Sequence, residues 1–275
     1  MPPEFVTRFA PSPTGPLHLG HAYSALFAHD MARAAGGRFL LRIEDIDRAR
    51  CHPEWEAQIY DDLAWLGITW DAPVLRQSEH FARYATALDL LALRGLTYPC
   101  QCSRADIRAA LSAPQEGVAD APYPGTCRHR PMELRKPTDA IRLKLNGETI
   151  CFTETGPDHF GARRYNLTAG DPVLGRKDTG AVAYVLACVM DDAAQGISHV
   201  VRGLDLFDFT AVQVHLQGLL DLPTPVYFHH RLIRDDTGKR LAKRDDARAL
   251  SKYRAEEATP DDIRRMVGLG STNGG

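Results

Sequence analysis

The sequence predicts an α/β fold in which helices pack on a largely parallel β-sheet. A strand, a loop, a helix and a second strand follow one another within the first 45 residues, the βαβ pattern of a parallel sheet. Apolar periodicity returns between residues 182 and 220, as the second half of a doubly wound sheet would require. The 275-residue chain is 44% hydrophobic and 25% charged, which excludes a disordered, collagen-like or coiled-coil protein.

The first βαβ unit starts with a strand over Phe5–Ala10. Three prolines in the six residues that follow cannot continue a strand or a helix, so a loop is expected there. A helix begins near Gly20 and ends at the Gly36-Gly37 pair, because glycine readily forms a helix C-terminus. Phe39–Ile43 is the next predicted strand, and Glu44 therefore falls at its carboxyl end.

Two amphipathic helices follow, and each presents one apolar face. The first begins at Pro53 and runs to Leu66, and the second begins at Ser78 and ends before Gly95. Both apolar faces are expected to pack in the core.

The segment from residue 99 to residue 180 has a different character, with crowded cysteines, more prolines and glycines, and short strand candidates. We interpret it as an insertion. The chain then divides into a split α/β core of residues 1–98 and 181–250, an inserted cysteine-containing subdomain of residues 99–180 and a short helical tail of residues 251–275. Within the second half of the core, a helix is predicted over Phe207–Leu220.

Charge and apolar runs limit the partners and the compartment. With 33 basic and 35 acidic residues, the net charge of -2 gives no global field, so contact with nucleic acid must use local basic segments. Two such segments are Arg128–Lys144 and Arg231–Arg254.

A signal-peptide pattern is missing, and the longest apolar run, Ala181–Met190, is shorter than the about 20 residues of a membrane helix. The prediction is a cytoplasmic protein whose cysteines are thiols or metal ligands rather than disulfides.

The proline-rich loop before the first helix is a candidate phosphate site. Helix N-termini present free N–H groups and the positive end of the helix dipole, and Gly15 and Gly20 let the backbone approach a ligand closely. His18 and His21 lie three residues apart on one face, where both can donate hydrogen bonds to a phosphoryl oxygen. The alternative is a pair of surface histidines, and a Walker A motif is absent.

A second candidate is the basic stretch Lys239–Arg244, directly after an Asp-Asp-Thr-Gly turn. A loop with four cations can close over polyphosphate, with a lysine as a flexible point charge. Alone, the stretch is equally well explained as a solvated basic loop. Together with the early histidines, it predicts the other half of a nucleotide clamp.

The crowded cysteines predict a structural zinc site. Cys100, Cys102 and Cys127 supply three ligands, and Tyr123 and His129 are both candidates for the fourth. The alternative is three buried free thiols. The other cysteines, Cys51, Cys151 and Cys188, are expected to be ordinary thiols.

Isolated charges fall at the carboxyl edge of the predicted sheet, where open α/β folds bind ligands. Arg8, Glu44 and Arg202 together suit an amino acid with an additional carboxylate, although each alone would be explained as an ion pair. Tyr184 can reach the same place with its hydroxyl, or it can belong to the aromatic core.

These residues carry a resemblance to a known family. The motifs His18-Leu19-Gly20-His21 and Arg240–Arg244 resemble the two signatures of class I aminoacyl-tRNA synthetases, and the segments Arg8–Gly15 and Leu41–Asp45 resemble the glutamyl branch. The match extends to about residue 250. It implies a Rossmann-like core, an insertion that handles the tRNA acceptor end, and activation of L-glutamate by ATP with Mg²⁺.

The resemblance also implies roles for individual residues. The positions matching Arg8, Tyr184 and Arg202 engage the substrate carboxylates, and those matching Ala10, Ser12 and Glu44 engage its amino end. Those matching His18, Gly20, His21, Arg240 and Lys243 bind ATP, with His18, His21 and Lys243 as the catalytic residues.

Two departures from a full glutamyl-tRNA synthetase refine the expectation. Only 31 residues follow Arg244 in the 275-residue chain, too few for an anticodon-binding domain. That length and the cysteine set resemble the glutamyl-queuosine tRNA(Asp) synthetases, which attach glutamate to the queuosine base of tRNA(Asp) and in which a tyrosine is the fourth zinc ligand; this favours Tyr123 over His129. The rival readings are a stand-alone core that charges the 3′ end of a tRNA(Glu)-like substrate, an inactive RNA-binding paralogue, and a small-molecule nucleotidyltransferase. Arg240 and Ala242 also replace the lysine and serine of the usual second signature.

Overall fold

A computed structural model describes residues 4–103, 105–107, 123–167, 170–177, 182–233 and 248–270. Its first sheet is parallel and consists of β1 (Val6–Phe9), β2 (Arg38–Ile43) and the short β3 (Leu75–Arg76) in that order. Helix α1 (Leu19–Ala34) connects β1 to β2, and α2 (Pro53–Trp65) connects β2 to β3. The predicted βαβ unit is therefore confirmed, with the helix starting one residue before Gly20.

The second half of the core is a four-stranded sheet in the order β7, β6, β10, β9. Strand β10 (Val226–His230) pairs in parallel with β9 (His199–Gly203) on one side and with β6 (Thr149–Glu154) on the other, and β7 (Gly161–Asn166) is antiparallel to β6. Ser198 joins the two halves, because its Oγ accepts from the Val6 N–H at 2.8 Å and its own N–H donates to the Val6 carbonyl. The parallel α/β fold class predicted from the sequence is thus confirmed.

Three further helices cover this half: α3 (Phe81–Leu93), α4 (Tyr184–Ala194) and α5 (Phe207–Leu219). Asp191 and Asp192 extend α4 beyond the apolar run that the sequence suggests. Both are buried, and Asp191 accepts hydrogen bonds from Tyr84 Oη at 2.7 Å and from Gln77 Nε2 at 2.8 Å. Because neighbouring elements supply hydrogen-bond donors, the Asp191 carboxylate can be buried on a helix that is otherwise apolar.

A separate antiparallel sheet lies in the cysteine-containing segment. It consists of β4 (Thr97–Cys100), β5 (Ala140–Leu143) and β8 (Val173–Gly175). The residues between β5 and β8 return to the core sheet as the β6–β7 hairpin, so the predicted insertion of residues 99–180 contributes strands to two sheets. Its boundaries stay a prediction.

Two clusters of buried apolar side chains form the core, one on each side of the joined sheets. One contains Leu26, Leu41 and Leu63 between α1, α2 and the first sheet, and the other contains Tyr84, Leu186 and Leu216 between α3, α4 and α5. Both faces that the sequence predicts as buried on α2 and α3 contribute to these clusters.

The chain beyond residue 247 forms two short helices, α6 (Leu250–Ala255) and α7 (Pro260–Met266). Thr259 caps α7, and Arg264 binds Asp30 of α1. The predicted helical tail therefore packs against the core. None of the helices in the part of the chain that the structure covers has the length and apolar character to cross a membrane.

Candidate functional site

A cavity of about 600 Å³ opens where the two halves of the sheet meet, at the carboxyl ends of β1 and β9. In α/β sheets this crevice is where ligands bind. Nine of the site residues predicted from the sequence line it: Arg8, Ala10, Ser12, His18, Gly20, His21, Glu44, Tyr184 and Arg202. The predicted Arg240 and Lys243 lie outside the described residues.

A buried charge network lies behind one wall of the cavity and contributes Arg8 and Glu44 to that wall. Arg8 Nε donates to Asp192 Oδ1 at 2.9 Å, and Arg42 Nη1 donates to the same oxygen at 2.6 Å. Arg42 Nη2 also donates to Glu44 Oε1 at 3.2 Å. Asp192 thus neutralises two arginines, one of which is fixed against Glu44.

The network shifts the titration of its acids in opposite directions. Burial opposes ionisation of Asp192, but the charges and hydrogen bonds of Arg8 and Arg42 outweigh it and hold the pKa of Asp192 well below its usual range. Burial raises the pKa of Glu44 above its usual value, with Arg42 and Arg8 only partly offsetting the effect. Asp192 is therefore ionised at physiological pH, whereas Glu44 takes up a proton more readily than an exposed glutamate.

Arg202 enters the cavity from the end of β9. Its Nε donates to His229 Nε2 at 3.1 Å and its Nη2 donates to Thr210 Oγ1 at 2.8 Å. The remaining nitrogen, Nη1, is buried without a hydrogen-bond partner, although the side chain is only 5% exposed. A buried guanidinium with one unused arm is suited to an anionic ligand.

Tyr184 begins α4 and lies edge-on to Phe209 at the cavity, with ring centroids 6.1 Å apart. Burial raises the pKa of its hydroxyl, so the group remains a neutral donor at physiological pH. Tyr184 therefore belongs to the cavity wall as well as packing against the core.

The two histidines form the N-terminal cap of α1. His18 Nδ1 accepts from the Gly20 N–H at 3.1 Å, and His21 Nδ1 accepts from the His18 N–H at 3.2 Å. The rings stack with centroids 3.8 Å apart. Since Nδ1 is an acceptor in both rings, each neutral imidazole carries its proton on Nε2 and can donate it in a hydrogen bond.

The residues flanking the basic stretch lie beside this cap. Residues 230–233 line the cavity, and on the other side of the stretch Ala249 pairs with His18 while the Leu250 N–H donates to the Leu17 carbonyl. The described residues on either side of segment 234–247, which carries the predicted clamp, therefore lie at the cavity or beside the cap of α1.

Sequence reasoning missed several residues of the site. Arg42 follows the pattern of a strand residue, and only the fold reveals that it is fully buried against Asp192. His229 and His230 end β10, and His230 Nε2 lies 2.9 Å from Ser24 Oγ. Their position after an apolar strand was an available signal, because it matches that of Glu44 after β2.

The three predicted cysteine ligands also converge. The Sγ atoms of Cys100, Cys102 and Cys127 lie within 4.8 Å of one another, which makes a cluster that could bind a metal ion. Tyr123 Oη lies 3.4 Å from Cys100 Sγ and accepts from the Cys127 N–H at 2.8 Å. His129 is exposed.

The donor set fits a soft divalent ion, because thiolates at close range are the ligands of structural zinc sites. Arg142 stacks on the Tyr123 ring at 3.8 Å and holds the phenol in place. The remaining cysteines form no disulfide in the described part of the chain: Cys188 is buried, Cys51 is half-buried and Cys151 is exposed.

The first predicted RNA-binding segment uses three of its cations within the protein. Arg128 binds Asp171, Arg130 binds Asp139, and Arg142 stacks on Tyr123. Fewer cations of this segment are therefore available to bind RNA than its composition suggests.

Comparisons with known proteins agree with this geometry. Residues 4–273 match the family profile described as tRNA synthetases class I (E and Q), catalytic domain. The chain is 60% identical to a glutamyl-Q tRNA(Asp) synthetase of Rhodobacter capsulatus over 96% of this chain and 100% of the relative. It is 43% identical to the protein of the same name from Geobacter sulfurreducens over 92% of this chain and 79% of the relative.

A solved structure supports the same family. A glutamate tRNA ligase from Elizabethkingia meningosepticum, in complex with its amino acid, superposes with a TM-score of 0.80 at 29% identity. The match covers 97% of this chain, and the chain spans 61% of the length of that ligase. The chain therefore belongs to the class I tRNA synthetase family (E and Q) and, within it, to the group of glutamyl-Q tRNA(Asp) synthetases.

Proposed function

We propose that this protein activates L-glutamate with ATP and transfers the glutamate to the queuosine base of tRNA(Asp). The observation that carries the proposal is a single cavity that joins charges of both signs, at the sheet edge, to a helix N-terminus capped by two histidines. The first part suits a dicarboxylic amino acid, and the second suits a phosphate. The names of the relatives support the choice of acceptor.

The amino acid would bind between Arg202 and Glu44. The free Nη1 of Arg202 and the hydroxyl of Tyr184 are donors for carboxylates, and Arg8 adds positive charge although Asp192 already binds its Nε. The ammonium group would bind near Glu44, Ser12 and the carbonyl of Ala10, as the family resemblance implies.

ATP would enter as its magnesium complex with its α-phosphate at the N-terminus of α1. The Nε2–H groups of His18 and His21 would stabilise the charge that develops when a glutamate carboxylate oxygen attacks the α-phosphorus and pyrophosphate leaves. Lys243 and Arg240 would contact the departing pyrophosphate from a segment whose flanks lie at the cavity. A hydroxyl of the queuosine cyclopentene ring would then attack the glutamyl carbonyl, which expels AMP and releases the hydroxyl proton.

The Cys100, Cys102 and Cys127 cluster would hold a structural Zn²⁺, with Tyr123 as the fourth ligand. Bound there, the ion would link β4 to the loop before β5 and so order the antiparallel sheet. We assign it no role in the chemistry.

The activation step is tested by ATP–pyrophosphate exchange with Lys243→Ala. Loss of most glutamate-dependent exchange is expected, and Lys252→Ala, an exposed lysine of α6, is the matched control. Unchanged exchange in Lys243→Ala would contradict the clamp.

The acceptor is tested with labelled glutamate and tRNA(Asp) that either carries or lacks queuosine. Nuclease digestion should leave the label on the anticodon fragment of the modified tRNA alone. Label recovered with the 3′-terminal nucleoside would instead establish 3′-end charging, and no transfer to either tRNA would support a binding paralogue.

A further inference from the structure

A buried row of three side chains leads from the interior strand β6 to the cavity wall. Glu154 Oε2 lies 2.5 Å from His229 Nδ1, and His229 Nε2 lies 3.1 Å from Arg202 Nε. The exposed fractions are 0% for Glu154, 1% for His229 and 5% for Arg202. Only the last residue lines the cavity, so the first two can act on a ligand only through Arg202.

The chemistry of the row fixes the state of its histidine. A guanidinium nitrogen can only donate, so His229 Nε2 must accept from Arg202. The ring proton therefore lies on Nδ1 and points at Glu154. Burial, the largest effect, lowers the pKa of His229, while hydrogen bonds from His229 and the backbone outweigh burial and lower the pKa of Glu154. The row thus holds a carboxylate, a neutral imidazole and a guanidinium.

Glu154 is itself fixed by the backbone. Its Oε1 accepts from the Gly156 N–H at 2.7 Å and from the His229 N–H at 3.0 Å. A Cβ at position 156 would lie 2.5 Å from the His229 carbonyl oxygen, so this close approach requires glycine. The carboxylate cannot turn away from the imidazole without breaking both backbone hydrogen bonds.

Arg202, at the cavity end of the row, has fewer hydrogen bonds within the protein than Arg8. Arg202 uses Nε and Nη2 within the protein, while its buried Nη1 has no partner. Arg8, the other buried arginine that lines the cavity, donates to Asp192 through both Nε and Nη2 and to the Val201 carbonyl through Nη1. Of these two buried arginines, Arg202 is therefore the one with an arm left for a substrate.

We propose that Glu154 and His229 are positioning residues that hold Arg202 with Nη1 aimed at a carboxylate of the amino acid, and that they thereby set the preference for glutamate over uncharged glutamine. The inference rests on the proposed function, because it assigns the amino acid to this cavity. A guanidinium held by neutral acceptors on two of its nitrogens keeps its full charge for the ligand, which an amide side chain cannot match.

The substitution Glu154→Gln changes one atom and tests this arrangement. The glutamine oxygen would replace Oε1 as acceptor for the two backbone N–H groups, so its amide nitrogen would face His229 Nδ1 as a donor. The ring proton would move to Nε2, which then points an N–H at the Arg202 Nε–H. The hydrogen bond from Arg202 to His229 would be lost. Loss of one hydrogen bond to a charged group should raise KM for glutamate about tenfold or more, with KM for ATP unchanged within about twofold.

Asp191→Asn is the matched control, because Asp191 is also fully buried and hydrogen-bonded but none of its partners lines the cavity. It should lower the melting temperature without raising KM for glutamate. The ratio of kcat/KM for glutamate to that for glutamine should fall in Glu154→Gln alone. An unchanged ratio and an unchanged KM in a folded Glu154→Gln protein would overturn the proposal.

Nitrogen NMR of labelled histidines provides a second measurement that does not depend on activity. His229 should be neutral at pH 7 with its proton on Nδ1, the less common tautomer in water, and the resonance should move to the Nε2–H pattern in Glu154→Gln. A wild-type Nε2–H tautomer would overturn the row. If the wild-type protein shows no glutamate-dependent exchange while the Nδ1–H signal is present, the proposed function has failed and not the row.

Discussion

Asp192 is the single anion that two buried arginines share, and its replacement by asparagine should destabilise the protein severely. The substitution preserves the size of the side chain and removes its charge. Arg8 and Arg42, which are 4% and 0% exposed, would then remain buried without a counterion at this position.

The size of the effect follows from the contacts. Asp192 accepts from Arg8 Nε at 2.9 Å, from Arg8 Nη2 at 3.3 Å and from Arg42 Nη1 at 2.6 Å. Breaking a buried pair by removing one partner costs about 3–5 kcal/mol. That loss is a large fraction of the roughly 5–15 kcal/mol by which folded domains are stable, and it corresponds to a fall in Tm on the order of 10 °C.

Urea unfolding followed by circular dichroism measures the loss, and Asp61→Asn is the control. The Asp61–Arg254 pair is an exposed ion pair, with side chains 65% and 44% exposed, so its loss should cost about 0–1 kcal/mol. Because the pKa of Asp192 is depressed in the folded protein, its contribution is present above the unfolded pKa of about 4 and is lost as the pH falls below it. The gap between wild type and Asp192→Asn should stay constant from about pH 6 to pH 8 and close in acid. A difference below about 1 kcal/mol at pH 7 would refute the reasoning.

Three further predictions concern the metal cluster, the cavity and the fold. Cys100→Ser should lose about one bound zinc per chain by metal analysis and unfold at a lower temperature, while Cys151→Ser, at an exposed thiol, should change neither. Glutamate affinity measured by calorimetry should fall as the pH decreases, because burial raises the pKa of Glu44 and its protonation removes the partner of the substrate ammonium. Glu44→Gln should abolish this part of the pH dependence. Gly37→Ala should lower the free energy of unfolding by about 1–3 kcal/mol, because its Cβ would lie 2.0 Å from a backbone carbonyl oxygen, whereas Gly218→Ala, in open space on a helix, should not destabilise the protein.

Each of these predictions has an opposite outcome that would contradict it. Full zinc content in Cys100→Ser would remove that thiol from the ligand set. A pH dependence that persists in Glu44→Gln would assign the titration to another group. Equal stability of Gly37→Ala and wild type would mean that residue 37 lies farther from the Phe5 carbonyl oxygen than the structure places it.

Much of the fold could be predicted from the sequence because its signals are local. Prolines and glycines mark the ends of β1 and α1, and apolar spacing marks α2 and α3. The β6–β7 hairpin shows where such signals end. Its residues alternate between exposed and buried as an independent sheet would, and the pairing of Glu154 with Tyr227 in parallel is a contact over many residues that no local pattern encodes.

The site divides in the same way. His18 and Glu44 could be identified because one opens a helix and the other follows a strand, where α/β folds place ligand-binding groups, and Arg202 because it follows an apolar run. Arg42 and Glu154 could not, although they also lie near the ends of β2 and β6, because no local pattern reveals the buried partner of either charge. The predicted fourth metal ligand is an intermediate case: spacing left Tyr123 and His129 as alternatives, and the fold brings the Tyr123 hydroxyl to the cysteines while His129 is exposed.

The charges around the cavity are arranged so that the free protein is nearly neutral there and two groups remain available. Arg8 and Arg42 are balanced by Asp192 and Glu44, and Arg202 is linked through a neutral imidazole to Glu154. The available groups are the unpartnered Nη1 of Arg202 and the second carboxylate oxygen of Glu44, because Arg42 donates to Glu44 Oε1; burial raises the pKa of this carboxyl group. Their signs are opposite, as a zwitterionic amino acid with an acidic side chain requires, and neither is held by an exposed ion pair that salt would screen. Glutamate binding should therefore depend only weakly on ionic strength, whereas RNA binding through exposed cations should weaken steeply with added salt. A salt titration of both affinities on one preparation separates the two kinds of site, and a steep salt dependence of glutamate binding would contradict this assignment of the charges.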